Sequence, residues 1–208
     1  MAMKIYTSKQ GTELVRAARA AIELYIKNPH FDKSVIQSYT KEFDDKYGIF
    51  VTLMHYPTNE LRGCIGFLYG SSKISESIVD AAIAAAFEDP RFVSVSSYEL
   101  NELIIEVSIL SELKNLGKTA ASRKNNLVIG RDGLVVEYGL YRGLLLPNVA
   151  TEQNFSKEEF LEAVCEKAGI PKNYWMQPNV KLYKFETQIF CEEEPNGKIV
   201  EKNPSQTR

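Results

Sequence analysis

Histidine is almost missing from this chain, with only His30 and His55 in 208 residues. The spacings Cys-x-x-Cys and His-x-x-x-His do not occur, so the chain offers none of the patterns that build a closed zinc site, and no metal is expected. Cysteine is scarce too. Cys64, Cys165 and Cys191 are odd in number and far apart, which argues against a secreted disulfide framework and for free thiols in a reducing compartment, the cytoplasm. An excess of one charge is also lacking: 25 Lys and Arg against 27 Asp and Glu leave a net charge of −2. That balance supplies no broad cationic field, so nucleic acid and anionic membranes are not expected partners. No run approaches the ~20 apolar residues of a membrane span, and "MAMKIYTSKQ" lacks the apolar centre of a signal peptide. No repeat, phosphate-binding glycine loop or dinucleotide fingerprint is found, and no cofactor is expected.

What is present is ample material for a core, 44% hydrophobic residues in a chain of single-domain size. A helix should follow Thr7 or Ser8, with Leu14, Ala18, Ala21, Ile22, Tyr25 and Ile26 on one stripe and Asn28-Pro29 as its end. "YGIFVTLMHY" reads as a strand, "PTNE" as a turn and "LRGCIGFLY" as the returning arm of a hairpin. A capped, alanine-rich helix is expected from about Ser72 to near Pro90, then a strand over Leu103 to Leu110. "KNLGKTAASRKNN" reads as a polar, mobile connection, and "LVIGRDGLVVEYGLYRGLLLP" as short strands broken by glycines. Ser156 and Glu159 form a capping box. "KLYKFETQIFCEE" alternates Tyr183, Phe185, Thr187, Ile189 and Cys191 on one face of a last strand, and residues 193–208 read as a loose tail. These elements add up to an α+β fold.

The segment "LRGCIG", Leu61 to Gly66, carries the main chemical question. In an extended strand Arg62, Cys64 and Gly66 share a face, and a guanidinium beside a thiol favours the thiolate, so Arg62 is a candidate activator of Cys64. Gly63 and Gly66 would admit another backbone or a ligand. The plainer reading is a small buried core cysteine in a close-packed corner. If "PTNE" closes the hairpin, His55 pairs with Arg62 and Leu53 with Cys64, which places His55 one diagonal step from the thiol as a possible base. In "FEDPRF", Asp89 and Arg91 flank Pro90 and can stiffen a loop or line a cleft. Glu106, inside "IIEVSIL", needs a partner such as Arg62 or Arg91, or water. Arg142 stands before the apolar run that stops at Pro147.

Taken in order, "LRGCIG", "AAFEDPRF", "YELNELIIEVSIL", "IGRDGLVVE", "RGLLLPNVATE" and "FLEAVCEKAGI" resemble the AMMECR family, named for an Alport syndrome, midface hypoplasia and elliptocytosis chromosomal region. The resemblance implies a single domain of two unequal lobes over residues 5–192, with a mostly antiparallel sheet, helices packed on it, and the signature strand near a cleft between the lobes. It carries the characteristic positions onto Leu61, Arg62, Gly63, Cys64, Ile65 and Gly66, then Asp89, Pro90, Arg91 and Phe92, then Glu106, Gly133, Arg142, Gly143 and Pro147. Asn148 stands where glutamine is expected and Phe155 where tryptophan is common. His55 belongs to none of these motifs. The resemblance further implies association with Memo-like proteins and radical-SAM enzymes, without a defined reaction. The expectation is an enzyme or enzyme-assisting subunit with Cys64 and Arg62 as catalytic residues and Gly63, Gly66, Asp89, Arg91, Glu106 and Arg142 in support. The alternative is a non-catalytic protein-interaction module in which "LRGCIG" is architectural.

Overall fold

A computed structural model describes residues 4–203. The chain forms two compact units, one taking the residues up to Leu110 and again Gln188–Lys202, the other chiefly Ser111–Thr187. The architecture is α+β with antiparallel pairing throughout the strand registers given below.

The first unit opens with α1 (Ser8–Lys27), started by a capping box in which Thr7 accepts from the Gln10 backbone and Gln10 returns the bond. Its buried Leu14, Val15, Ala18, Ala21 and Ile22 follow the helical period. A short turn of helix, α2 (Ser34–Gln37), precedes the hairpin of β1 (Gly48–His55) and β2 (Leu61–Phe67). Helix α3 (Ile74–Phe87) follows; its N-cap is Lys73, without a side-chain cap. A 3₁₀ turn over Glu99–Glu102 leads into β3 (Leu103–Leu110). Strand β1 lies between β2 and β3 and is antiparallel to both. One face of this sheet, with Ile49, Val51, Leu53, Ile105, Val107 and Ile109, packs with α1 and α3 into the main core.

The second unit begins with β4 (Lys114–Asn115) and α4 (Ala120–Asn126), then the hairpin β5 (Asp132–Tyr138) and β6 (Tyr141–Leu145), turned at Gly139 with φ +58°. Helices α5 (Pro147–Glu152) and α6 (Lys157–Lys167) follow, α6 opened by the Ser156–Glu159 box. Leu134, Val136, Phe160, Leu161, Val164, Trp175 and Leu182 make its core. The stretch read as a mobile connection is ordered instead. Thr119 and Ser122 form a capping box, and the buried Arg123 guanidinium donates to the carbonyls of Gly117, Trp175, Gln177 and Val180.

The last long strand, β7 (Lys181–Glu192), pairs with β4 and β5 through its first half and with β8 (Ile199–Lys202) through its last residues. The simple alternation expected for it fails at the C-terminal end, where Gln188, Ile189, Phe190, Cys191 and Glu192 are all buried. Phe190 enters the main core, Cys191 packs with Met54 and Ile104, and Gln188 holds the backbone of Tyr6 at 2.9 and 2.8 Å. The tail reading is corrected as well. Residues 193–202 turn back to add β8, because Ile199 and Val200 supply apolar strand residues; residues 204–208 lie outside the described part. Among the described residues no helix is long and apolar enough to cross a membrane.

Candidate functional site

The site is built on the hairpin. The turn takes in more residues than "PTNE", since the His55 N–H donates to the Glu60 carbonyl at 2.9 Å and Met54 is already opposite Leu61. Next to it Leu53 faces Gly63, which leaves Arg62 as the extra residue of a β-bulge. Beyond the bulge the register is regular: Thr52 lies opposite Cys64 on one side and Glu106 on the other. Three strands therefore carry Cys64, Thr52 and Glu106 in one lateral row. His55, three positions along β1 from Thr52, points to the opposite face, so the expected cysteine–histidine pair does not form.

The two glycines answer to packing on the two faces of β2. A Cβ on Gly63 would sit 2.2 Å from the Ala85 carbonyl oxygen of α3, so the missing side chain lets helix and strand close on each other. A Cβ on Gly66 would lie 2.4 Å from the Phe50 ring and 2.3 Å from the Ile49 carbonyl oxygen, so the ring covers that glycine.

Arg62 goes to structure. Its guanidinium is almost fully buried, forms an ion pair with Glu99, donates to the Val93 carbonyl at 2.7 Å, and lies over the Phe92 ring at 5.6 Å. Burial works against the Glu99 charge, but the hydrogen bonds from Arg62 and the Ser96 N–H hold its carboxyl below the usual range. The expectation that Arg62 supplies the cation beside Cys64 is thus corrected: Glu99, unremarked in the sequence, takes it.

The cation near Cys64 is Arg91. Asp89 accepts from Arg91 Nε at 2.9 Å and NH2 at 2.7 Å, and its Oδ2 also accepts the Cys64 backbone N–H at 2.9 Å. Arg91 in turn approaches the Cys64 carbonyl at 3.5 Å. The Asp-Pro-Arg segment therefore covers the open edge of β2 at this residue, which removes a free pairing edge. The Arg91 hydrogen bonds, partly opposed by burial and aided by the Cys64 N–H, hold the Asp89 carboxyl far below its usual range.

Cys64 is the partly exposed cysteine; Cys165 and Cys191 are buried. Its sulfur accepts from the Thr52 hydroxyl at 3.3 Å. Burial pushes the Cys64 thiol up, while the Thr52 hydrogen bond and the Arg91 charge pull it back and the Glu106 and Asp89 charges push it further. The largest of these influences is burial, and the net direction is upward. Glu106 is buried and is matched by Lys202 of β8 at 3.4 Å, not by the arginines expected from the sequence. Arg142 belongs to the second unit, where it lies on β6, 3.6 Å from Glu137 and well exposed, and it is not part of this row. Among the described residues no three His, Cys, Asp or Glu side chains gather as a metal-holding group. Sequence reasoning missed Thr52 and Lys202. Thr52 had a signal, as a polar residue out of step with Ile49, Val51 and Leu53; Lys202 had none.

Comparison with known proteins completes the description. Residues 15–190 match the model of the family described as AMMECR1. Protein MJ0810 of Methanocaldococcus jannaschii is 46% identical over 202 residues, covering 96% of this chain and 98% of that protein. A protein of Methanocella arvoryzae is 43% identical over 196 residues, with 93% and 96% covered. The crystal structure of uncharacterized protein PH0010 from Pyrococcus horikoshii is similar with a TM-score of 0.86 at 41% identity, covering 94% of this chain and 97% of that one.

Proposed function

The chain belongs to the AMMECR1 family, and from that premise we propose that it is an enzyme, or a subunit that assists one, whose chemistry is carried by the Cys64 thiol. The observation that carries this reading is the setting of the sulfur: partly exposed, on a wall with the Thr52 hydroxyl at 3.3 Å and a guanidinium fixed by two bonds to Asp89. A reaction there starts with loss of the thiol proton. Thr52 and Arg91 are the groups that favour the resulting thiolate. Arg91 is about half exposed, so it can also meet an oxygen of the substrate. Arg62, Gly63 and Gly66 support the wall without touching the reaction, and Glu106 is the buried charge behind Thr52. Action alongside a Memo-like protein and a radical-SAM enzyme is part of this proposal and is supported by the family resemblance alone.

One observation favours the alternative, a non-catalytic interaction module: the signature residues Arg62, Gly63 and Gly66 are all committed to packing. The two readings separate by iodoacetamide labelling against pH, read by peptide mass spectrometry. Under the catalytic reading Cys64 is labelled in the folded protein while the buried Cys191 and Cys165 stay protected; burial also pushes the Cys165 thiol up to about 11. Labelling of Cys64 only on unfolding supports the architectural role.

A further inference from the structure

One loop of the first unit divides its large apolar side chains between core and water. After the Asp-Pro-Arg segment, Val95 and Leu100 enter the main core, and the Val95 N–H donates to the Ala86 carbonyl at 2.9 Å. Val93 and Tyr98, from the same loop, are 81% and 87% exposed. Tyr56 and Leu61, at the two ends of the β1–β2 turn, are 45% and 38% exposed. A single ion pair gathers the four. Leu61 precedes Arg62, whose guanidinium holds Glu99 and the Val93 carbonyl, and Tyr98 precedes Glu99. The Tyr56 N–H donates to the Glu102 carbonyl at 2.9 Å, at the end of the 3₁₀ turn that Glu99 begins.

The hold comes at a cost. Arg62 NH1 is buried without a hydrogen-bond partner, a penalty that an apolar residue in its place would avoid. What the arginine achieves is a fixed loop with Val93 and Tyr98 turned outward. Grouped apolar side chains in water mark a surface that another molecule covers, and tyrosines carry much of the binding energy at interfaces. The charges narrow the choice of partner. Segments 55–62 and 92–102 carry Glu60, Glu99 and Glu102, with Arg62 as their one Lys or Arg, and Arg62 is committed to Glu99. Glu60 and Glu102 are exposed, and their carbonyls accept from His55 and Tyr56. A second copy of this chain would set acid against acid across an isologous contact, and an anionic membrane would meet the same repulsion.

We propose that this patch docks a partner protein through a basic amphipathic helix, with its apolar face on Tyr56, Leu61, Val93 and Tyr98 and its Lys or Arg residues toward Glu60 and Glu102. A helix fits better than an added strand because the neighbouring strand edge is closed. Arg62 bulges out of β2, and Asp89 takes the Cys64 N–H at 2.9 Å. The tyrosine rings add attraction for the cations. The proposal rests on the reading of this chain as an interaction module or an assisting subunit, and not on the reactivity of Cys64.

The test is amide-detected NMR on the full chain, titrated with three short synthetic helical peptides. One carries leucines on one face and lysines on the other; the second has glutamate for each lysine, and the third has serine for each leucine. The leucine–lysine peptide should shift the Leu61, Val93, Ser94 and Tyr98 amides saturably, at least tenfold more tightly than either other peptide. Tyr98→Ser and Val93→Ser change exposed side chains and should each weaken it severalfold, with the amides of the core strands unmoved. The double variant Glu60→Gln, Glu102→Gln should weaken it severalfold and flatten its dependence on salt. Equal binding of the leucine–glutamate peptide, shifts confined to other amides, indifference to Tyr98→Ser, or no saturable shift would overturn the proposal. So would a dimer in sedimentation that Tyr98→Ser abolishes, since the patch would then belong to a second copy. None of these results touches the labelling of Cys64, so the two readings fail separately.

Discussion

Two guanidiniums approach the same phenyl ring, Arg62 at 5.6 Å and Arg91 at 5.4 Å from the centroid of Phe92, and each has one carboxylate partner. Beyond that they differ. The Arg62 side chain is 6% exposed and holds Glu99 and the Val93 carbonyl; the Arg91 side chain is 53% exposed and holds Asp89. Arg62 is two residues from Cys64 in sequence, Arg91 twenty-seven, yet Arg91 is the cation that acts on the thiol. The bulge explains the inversion. An extra residue in β2 turns the Arg62 side chain toward the Asp89–Glu99 loop, while the proline-stiffened turn after α3 brings Arg91 back to the strand edge. Nearness in sequence gave the wrong partner because a single inserted residue changes direction locally.

The comparison can be broken most severely beneath both arginines. Gly63→Ala would drive a methyl into the Ala85 carbonyl at 2.2 Å, against backbone that cannot rotate away. We expect a loss of about 3 kcal/mol or more in urea unfolding, at the upper end for overpacking, because helix α3 must shift bodily. An unchanged midpoint would mean that strand and helix are not locked together here.

The arginines themselves come next. Arg62→Met strands a half-buried Glu99 and should cost about 2–3 kcal/mol, below the value for a fully buried broken pair because Glu99 is 24% exposed. It should leave the pH midpoint of Cys64 labelling in place. Arg91→Met leaves the carboxylate of Asp89, only 2% exposed, without its guanidinium, so it should cost about 2–3 kcal/mol as well. Unlike Arg62→Met it should raise that midpoint, since the Arg91 charge draws the thiol down. The acid limb gives a second reading. The folded Asp89 carboxyl is held below its unfolded value near ~3.9, so its contribution is whole above about pH 4 and is lost as pH falls through the folded value. Arg91→Met should flatten that loss. If Arg62→Met moved the thiol and Arg91→Met did not, the assignment of the two cations would be reversed.

Much of the fold was legible because it rests on local rules. The caps at Thr7 and Ser156, the period of α1, and the strand over Leu103–Leu110 all follow from short-range chemistry. The site was legible in composition but not in arrangement. Counting a four-residue turn sets Leu53 opposite Cys64; the longer turn and the bulge at Arg62 set Thr52 there, and a one-residue slip exchanges the faces of a strand. That slip is what put His55 beside the thiol and left Thr52 out. Lys202 was hidden for a different reason. It lies in a charged tail, and only the return of β8 along β7 brings it to Glu106 at 3.4 Å.

The smallest expected effect is the sharpest about Thr52. Thr52→Val keeps the shape and the β-branch, so stability should change by only about 1 kcal/mol, the net worth of one hydrogen bond. What it removes is the hydroxyl donor 3.3 Å from the Cys64 sulfur. That bond favours the thiolate, so the labelling midpoint of Cys64 should rise, in the same direction as for Arg91→Met. The double variant should rise further than either, because one group acts by a hydrogen bond and the other by its charge. If Thr52→Val leaves the midpoint alone while Arg91→Met moves it, the hydroxyl belongs to the packing of the strand row, and the chemistry of the site reduces to the thiol and one guanidinium.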